Sequence, residues 1–213
     1  MEIEIVRPEE IEKRSFAIIS EELKAQGITL PEDQEAVTKR CIHTSADFDY
    51  ARNLTFSEGA VEKAKEAIRH GASIVTDTQM ARSGINKRVL EQYGGQVYCF
   101  MSDTDVAEEA KRPVYPAVAS MEKACALEED LIFAIGNAPT ALIRLYELIR
   151  EGRIAPKLVI GAPVGFVNVV QSKEQILTLK DTPTSWPGEE RAAAILQLHL
   201  QRLTVSMLKY LEG

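Results

Sequence analysis

The sequence contains little cysteine, and its cysteines do not form a metal-binding or disulfide pattern. The 213 residues include three cysteines, Cys41, Cys99 and Cys125, with no CxxC pair among them. An odd number of widely spaced thiols is typical of a reducing compartment, and it argues against both a disulfide framework and a thiolate metal site.

Long apolar runs are absent as well. No stretch approaches the ~18–20 apolar residues that a transmembrane helix needs. The first residues, MEIEIVRPEE, are acidic where a secretion signal would be basic and then apolar. We therefore expect a cytoplasmic protein that does not associate with membranes.

The sequence also lacks an excess of positive charge. Its formal net charge of -7 disfavours a nucleic-acid surface, and it means that an acidic ligand would need a local cluster of cations. The length suits one well-buried domain, and we find no linker, repeat or low-complexity segment. We expect a single domain over residues 1–213.

The first part of the sequence has helical periodicity. Pro8 is typical of a first helical turn, and Gly27 would end that helix. A second helix is predicted from about Glu32 to Cys41. A third is predicted to begin at an N-cap, Ser57, and to end near Gly71.

From residue 72 onward, short apolar segments alternate with helical patterns. Four of them have the composition of buried strands: ASIVTD, QVYCFMSD, LIFAIGN and KLVIGAPVGF. Strands and helices that alternate at this spacing form right-handed βαβ units and a parallel sheet covered on both faces. The pattern predicts an α/β protein with a three-layer α/β/α sandwich.

The most polar segment precedes these strands. Residues 39–51, KRCIHTSADFDYA, combine a histidine with hydroxyls, carboxylates and cations, so we interpret them as a site segment rather than part of the core. An imidazole titrates near pH ~6.5 and can both give and take a proton, which makes His43 the candidate acid or base. The alternative is that the charges solvate a loop and His43 ends a helix.

Polar, glycine-containing segments follow three of the strands: TDTQMARSG, GNAPT and GAPVGFVN, the last followed by Ser172 and Lys173. Ligands of an open parallel sheet bind beyond the carboxyl ends of its strands. Glycines let the backbone approach a ligand, and N–H groups of a first helical turn attract carboxylates or phosphates. None of these segments matches GxxxxGKS or GxGxxG, and each alone is also consistent with an ordinary turn.

Four motifs resemble one known family. IHTSADFDYA, TDTQMARSGI, AIGNAPTAL and IGAPVGFVNVVQSKE are similar, in order and spacing, to the precorrin-8X methylmutases, also called precorrin isomerases or cobalt-precorrin-8 methylmutases. The resemblance implies a flavodoxin-like, mostly parallel sheet of about five strands. It also implies a homodimer with active sites at the subunit contact.

The resemblance further implies the reaction and its residues. In that family a methyl group moves from carbon 11 to carbon 12 of precorrin-8X or cobalt-precorrin-8, giving hydrogenobyrinate or cobyrinate in vitamin B12 synthesis. No cofactor or metal is needed, and the product could pass directly to another enzyme of corrin synthesis. The family's histidine falls on His43, which would protonate or hydrogen-bond the ring. The residues implied in binding the tetrapyrrole and its carboxylates are Arg14, Ser15, Arg40, Thr76, Met80, Arg82, Ser83, Gly84, Asn137, Thr140, Phe166, Asn168 and Lys173.

Two other functions stay open at this point. One is a non-catalytic carrier of flavin or tetrapyrrole on the same fold, in which His43 would matter little. The other is a metal-inserting chelatase, which needs several histidines or carboxylates that converge on a metal, and only His43 is well placed for that. Met80 and Phe166 are equally compatible with contacts to a macrocycle and with ordinary packing.

One segment departs from the family pattern. The family has a PYI-like strand and a GRKGGS-like turn where residues 184–204 read TSWPGEERAAAILQLHLQRLT. Reverse translation of this segment with suitable synonymous codons, read with one thymine ahead of Thr184, yields YIVARGRKGGSNSAVASTALN. We infer compensating frame changes in the gene or in its record. The printed residues from Ile195 to Leu208 predict a C-terminal helix, and we assign His199 no function.

The intact mass of the protein tests this hypothesis. If the frame changes exist only in the record, the protein produced from its native gene will not have the 23.6 kDa mass of the printed sequence, and its tryptic digest will contain a peptide with GGSNSAVAS. A resequenced gene that encodes the printed segment without a frame change would rule out a recording error.

Overall fold

The computed structural model describes residues 7–109, 115–179 and 184–187. Its amino-terminal part is mainly helical. The elements before the central sheet are α1 (Pro8–Ala25), α2 (Glu32–Ser45), α3 (Tyr50–Asn53), β1 (Leu54–Phe56) and α4 (Ala60–Arg69). Helices α1 and α2 pack against each other, and α2 also contacts α3 and α4.

Strands and helices alternate in the rest of the described chain. The strands are β2 (Ser73–Thr76), β3 (Val97–Tyr98), β4 (Leu131–Ile135), β5 (Leu158–Gly161) and β6 (Thr184–Pro187). The helices are α5 (Gln79–Gly84), α6 (Lys87–Gln92), α7 (Thr104–Glu109), α8 (Pro116–Ala124), α9 (Pro139–Arg150) and α10 (Val169–Leu177), with a 3-10 turn at Phe100–Ser102.

One sheet contains all the described strands, in the order β1-β6-β5-β4-β2-β3. Strands β2 to β6 pair with one another in parallel, and β1 pairs antiparallel with β6 at the edge of the sheet. If the parallel strands alone are numbered along the chain, their spatial order is 2-1-3-4-5, the flavodoxin order. The predicted α/β class and flavodoxin-like sheet are confirmed.

The core consists of two apolar layers, one on each face of the sheet. Side chains of successive strand residues point to opposite faces. Ile74 and Ile160 therefore face α1, α2, α4 and α6, whereas Phe133 and Val159 face α8, α9 and α10. Because both faces are covered, the strands are apolar throughout rather than alternating.

Three local predictions differ from the structure. Strand β1 was not expected, because its three residues carry no periodic signal. The helix predicted from Ser57 begins at Ala60 after Gly59, whose φ of 66° is left-handed. Helix α2 continues to Ser45 instead of ending near Cys41, so the polar segment is only partly a surface segment: Cys41, Ile42 and Tyr50 are buried.

Within the described residues, no helix is long and apolar enough to cross a bilayer. The predicted C-terminal helix and His199 lie outside the described residues, as does most of the segment that departs from the family pattern. Of that segment, the structure describes the strand β6, Thr184–Pro187.

Helices α8 and α9 are joined by an ion-pair network. Nε of Arg144 donates to Glu122 at 2.6 Å, and Nη1 of the same arginine donates to Glu147 at 2.6 Å. Nη2 of Arg153 also donates to Glu122 at 2.6 Å. Burial raises the pKa of Glu122, but the hydrogen bonds from Arg153 and Arg144 outweigh burial, so its pKa lies below the ordinary value.

This network predicts a pH-dependent contribution to stability. A carboxyl whose pKa is lowered by folding contributes stability above its unfolded pKa, ~4.3 for glutamate, and this contribution is lost as the pH falls through the folded-state pKa. Glu122→Gln should lower the free energy of unfolding by about 0.5–1 kcal/mol at pH 7, since the pair is partly exposed, and by less at pH 3. Urea unfolding at both pH values measures this.

The matched control is Glu91→Gln, an exposed position of α6, which should change stability little at either pH. An equal loss for Glu122→Gln at pH 7 and pH 3 would contradict the electrostatic explanation.

Candidate active site

The loops at the carboxyl edge of the sheet form the first part of the candidate site. In the sheet, β2 lies between β3 and β4, so the connections that leave β2 and β4 diverge to opposite sides. A doubly wound sheet opens a ligand crevice at such a point. The polar segments predicted from the sequence are the connections that follow β2, β4 and β5, and they therefore meet at this edge.

Asp77, directly after β2, ties two of these loops together. Its Oδ1 accepts the N–H of Gly136, and its Oδ2 accepts the N–H groups of Asn137 and Ala138, each at 2.8 Å. The side chain is almost completely buried, with 1% of the residue exposed. Burial raises the pKa of Asp77, and the three N–H groups act in the opposite direction by stabilising the carboxylate.

The expectation that N–H groups of the first turn of α9 bind an anion stays a prediction. The three N–H groups of the loop just before α9 are satisfied by the protein's own carboxylate. The sequence offered no signal for Asp77 beyond an aspartate that follows a buried strand.

The β2 loop is also bonded within itself and to the β3 loop. The single O–H of Thr76 lies within hydrogen-bond distance of the carbonyls of Thr78, at 3.1 Å, and Tyr98, at 3.2 Å. This proposed substrate contact is fully buried. Nε2 of Gln79 donates to the carbonyl of Cys99 at 3.4 Å and to Oγ of Ser102 at 3.2 Å. The β2 loop is therefore held both by its own hydrogen bonds and by those to the β3 loop.

The remaining predicted residues of this loop lie on α5. Nε of Arg82 donates to the carbonyl of Val97 at 3.2 Å, which leaves part of its guanidinium accessible. Oγ of Ser83 donates to the carbonyl of Gln79 at 2.8 Å. Met80 is exposed, and Gly84 is partly exposed at the end of the helix. The predicted binding residues that α5 exposes are therefore both polar and apolar.

The loops after β4 and β5 carry the other predicted residues. Asn137 is exposed and Thr140 is partly buried. Phe166 is 94% exposed, which is unusual for a large aromatic side chain. Asn168 precedes α10 with a left-handed φ of 61°, a conformation that asparagine tolerates. Lys173 is buried in α10.

His43 lies in the last turn of α2 and is partly buried. Its ring centroid is 5.3 Å from that of Phe16 in α1, and the two rings are tilted by 31°. Cζ of Arg40, one turn earlier in α2, lies 4.7 Å from the centroid of the same Phe16 ring. Nη2 of Arg40 donates to Glu12 at 2.5 Å.

Phe16 is thus a site residue that the sequence reasoning missed. One ring contacts both the imidazole and the guanidinium, and an aromatic face attracts a cation. Phe16 falls on α1 beside Arg14 and Ser15, which the resemblance implied. Its own position carried no signal because one aromatic residue in an amphipathic helix is usually read as packing. The guanidinium of Arg40 is correspondingly more buried than a rim cation would be.

The pairing of β1 places His43 at the same edge as the loops. Leu54, the first residue of β1, pairs with Pro187 at the carboxyl end of β6. The residues just before β1 therefore lie at the carboxyl edge of the sheet. Helix α2 ends at Ser45, with Ala46 in a left-handed conformation, and it contacts α3, which directly precedes β1.

Burial disfavours the thiolate form of all three cysteines. Burial raises the pKa of Cys41 to about 12, and it also raises the pKa of Cys99 and of Cys125. A thiol with a raised pKa supplies little thiolate at neutral pH. Among the described residues, no three histidine, cysteine or acidic side chains converge as metal ligands would.

The fold and the site define a doubly wound, flavodoxin-like α/β protein with a topological switch point between β2 and β4, polar loops at the carboxyl edge of its sheet, and a histidine near that edge. A sequence profile of one family, described as Precorrin-8X methylmutase, matches residues 10–186. The chain belongs to this family. The match ends just inside the segment 184–204.

Named relatives cover most of the chain. A cobalt-precorrin-8 methylmutase of Priestia megaterium is 46% identical over 175 residues, which are 82% of this chain and 77% of the relative. A precorrin-8X methylmutase of Pseudomonas aeruginosa is 35% identical over 172 residues, which are 78% of this chain and 79% of the relative. A crystal structure of precorrin-8X methyl mutase from Thermus thermophilus superposes with a TM-score of 0.83 at 31% identity, covering 95% of this chain and 98% of that one.

Proposed function

We propose that this protein moves a methyl group from carbon 11 to carbon 12 of precorrin-8X or cobalt-precorrin-8, with His43 as the acid that assists the migration. The protein is an intramolecular methyl-transferring isomerase of vitamin B12 synthesis. The observation that carries this conclusion is the family match over residues 10–186. The motif histidine at the crevice edge supports the assignment of the acid.

The demands of the reaction fit the geometry. A methyl migration within one molecule needs no second substrate, so the site must hold one ring geometry and stabilise altered charge. His43 can donate a proton or a hydrogen bond to the ring. The contact with Phe16 limits the orientations of the imidazole, so it presents its donor in a restricted direction.

The predicted binding residues divide into accessible and buried groups. We infer that the accessible ones contact the macrocycle or its carboxylates, since a contact requires an open surface. These are Arg14, Ser15, Met80, Arg82, Ser83, Gly84, Asn137, Thr140, Phe166 and Asn168. We infer that the buried ones, Thr76, Arg40 and Lys173, support this surface from beneath.

We also propose a homodimer with its active sites at the subunit contact. Ile11 and Ile18 are half exposed on α1, two turns apart and therefore on the same helix face. Arg14 and Ser15 lie between them on that face. Burial of the isoleucines against a second subunit would bring the site residues of α1 to the interface. We further propose that the enzyme acts in the cytoplasm and passes its product to other enzymes of corrin synthesis.

Sedimentation equilibrium tests the dimer. The parent should have about twice the mass of the 23.6 kDa chain, and Ile18→Glu should shift it to the monomer because a charge would be buried at the interface. The matched control is Leu177→Glu, an exposed aliphatic position on α10, which should leave the mass unchanged. A monomeric parent would contradict the proposal.

An absorption titration with precorrin-8X tests the activity and the role of His43. The parent should convert the substrate to the differently coloured hydrogenobyrinate, and His43→Ala should lower turnover by about 10²-fold or more, the range for loss of a general acid. His43→Ala should still bind the product, because the carboxylate contacts remain.

The control is His70→Ala, at the end of α4, where the ring Nδ1 hydrogen-bonds the carbonyl of Glu66. It should retain parental turnover. Binding without conversion by the parent would indicate a tetrapyrrole carrier, and full turnover by His43→Ala would contradict the assignment of the acid.

A further inference from the structure

The hydrogen bonds of Asp77 connect its own loop to other loops of the candidate site. Its carboxylate accepts the N–H of Asn137, and the carbonyl of that same residue accepts the N–H of Val164 in the β5 loop at 2.9 Å. Gln79, two residues after Asp77, bonds the β3 loop through its side-chain amide. Asp77 thus links the β2 loop to the β4 loop, which is itself hydrogen-bonded to the β5 loop, and Gln79 separately links the β2 loop to the β3 loop.

The N–H groups that Asp77 satisfies are of a kind that binds external anions. Consecutive backbone N–H groups that precede a helix form a cradle for phosphate or carboxylate. Here the cradle is formed by Gly136, Asn137 and Ala138, and the buried Asp77 carboxylate already occupies it with one bond to each donor. A carboxylate of the substrate cannot use these donors.

We propose that Asp77 is a positioning residue of the isomerase: by filling the backbone cradle at the switch point, it sets the placement of the loops that carry Asn137, Thr140 and Phe166. This inference rests on the proposed function. Substrate carboxylates are then bound by side chains at the rim of the crevice, and the backbone beneath them holds its shape whether or not the substrate is present.

The cradle itself can be measured without any activity. In the parent, the amide protons of Gly136, Asn137 and Ala138 should exchange slowly with solvent, because all three are bonded to one buried carboxylate. Fast exchange of these amides in the parent would overturn the proposal, and this measurement requires no variant to fold.

Two variants test the consequence for turnover. Asp77→Asn keeps the shape of the side chain but replaces one carboxylate oxygen by an NH₂ group. The amide then has one acceptor oxygen for three N–H donors. Turnover should fall on the order of 10²-fold, the cost of a small misplacement of binding groups, at a temperature where the variant remains folded. Asp77→Ala opens the cradle, and added formate should raise both its melting temperature and its turnover, whereas chloride at the same ionic strength should not.

Asp130→Asn is the matched control. Asp130 lies just before β4, at the opposite edge of the sheet, and pairs with Lys157 at 3.2 Å. The same substitution there should leave turnover and the exchange of residues 136–138 unchanged.

The outcomes separate this inference from the proposed function. An inactive parent with slowly exchanging cradle amides and formate-stabilised Asp77→Ala would contradict the isomerase assignment and leave the cradle established. An active parent whose folded Asp77→Asn variant keeps full turnover would overturn the positioning role. Formate that restores stability of Asp77→Ala without restoring turnover would also overturn it, since the carboxylate would then be structural only.

Discussion

The carboxyl edge of the sheet depends on one buried carboxylate that accepts three backbone hydrogen bonds. Burial of a charge is costly, and the N–H groups of a loop that leaves a strand are costly to bury without partners. At Asp77 the two costs offset each other, because the donors that need an acceptor surround the anion that needs donors. The two loops can then lie close together without regular secondary structure.

His43 depends on a different kind of contact. It lies on a helix rather than on a loop, and its ring packs against Phe16 of the neighbouring helix. The same phenylalanine ring faces Arg40, whose guanidinium is also paired with Glu12. The ring of His43 thus packs against an aromatic ring, hydrogen bonds join the loops, and the pairing of β1 with β6 places the residues before β1 at the same edge as those loops.

The net charge of the protein does not favour an acidic substrate. The chain carries a net charge of -7, so it does not attract a polycarboxylate by its overall field. An acidic ligand would need local cations and amides, and Arg14, Arg82 and Asn137 are accessible groups among the proposed contacts.

Much of the fold and the chemical type of the site followed from the sequence, because apolar periodicity and the polar ends of strands are local signals. Strands β2 to β5 and the polar segments at the carboxyl edge of the sheet were predicted in this way, and the four motifs predicted the family. The burial of Arg40 and Lys173, the role of Phe16 and the strand β1 were not predictable from local pattern. Asp77 shows the reason most clearly: its partners lie about sixty positions further along the chain, and only the folded sheet brings β2 and β4 side by side, so a pairing between them leaves no periodic trace in the sequence.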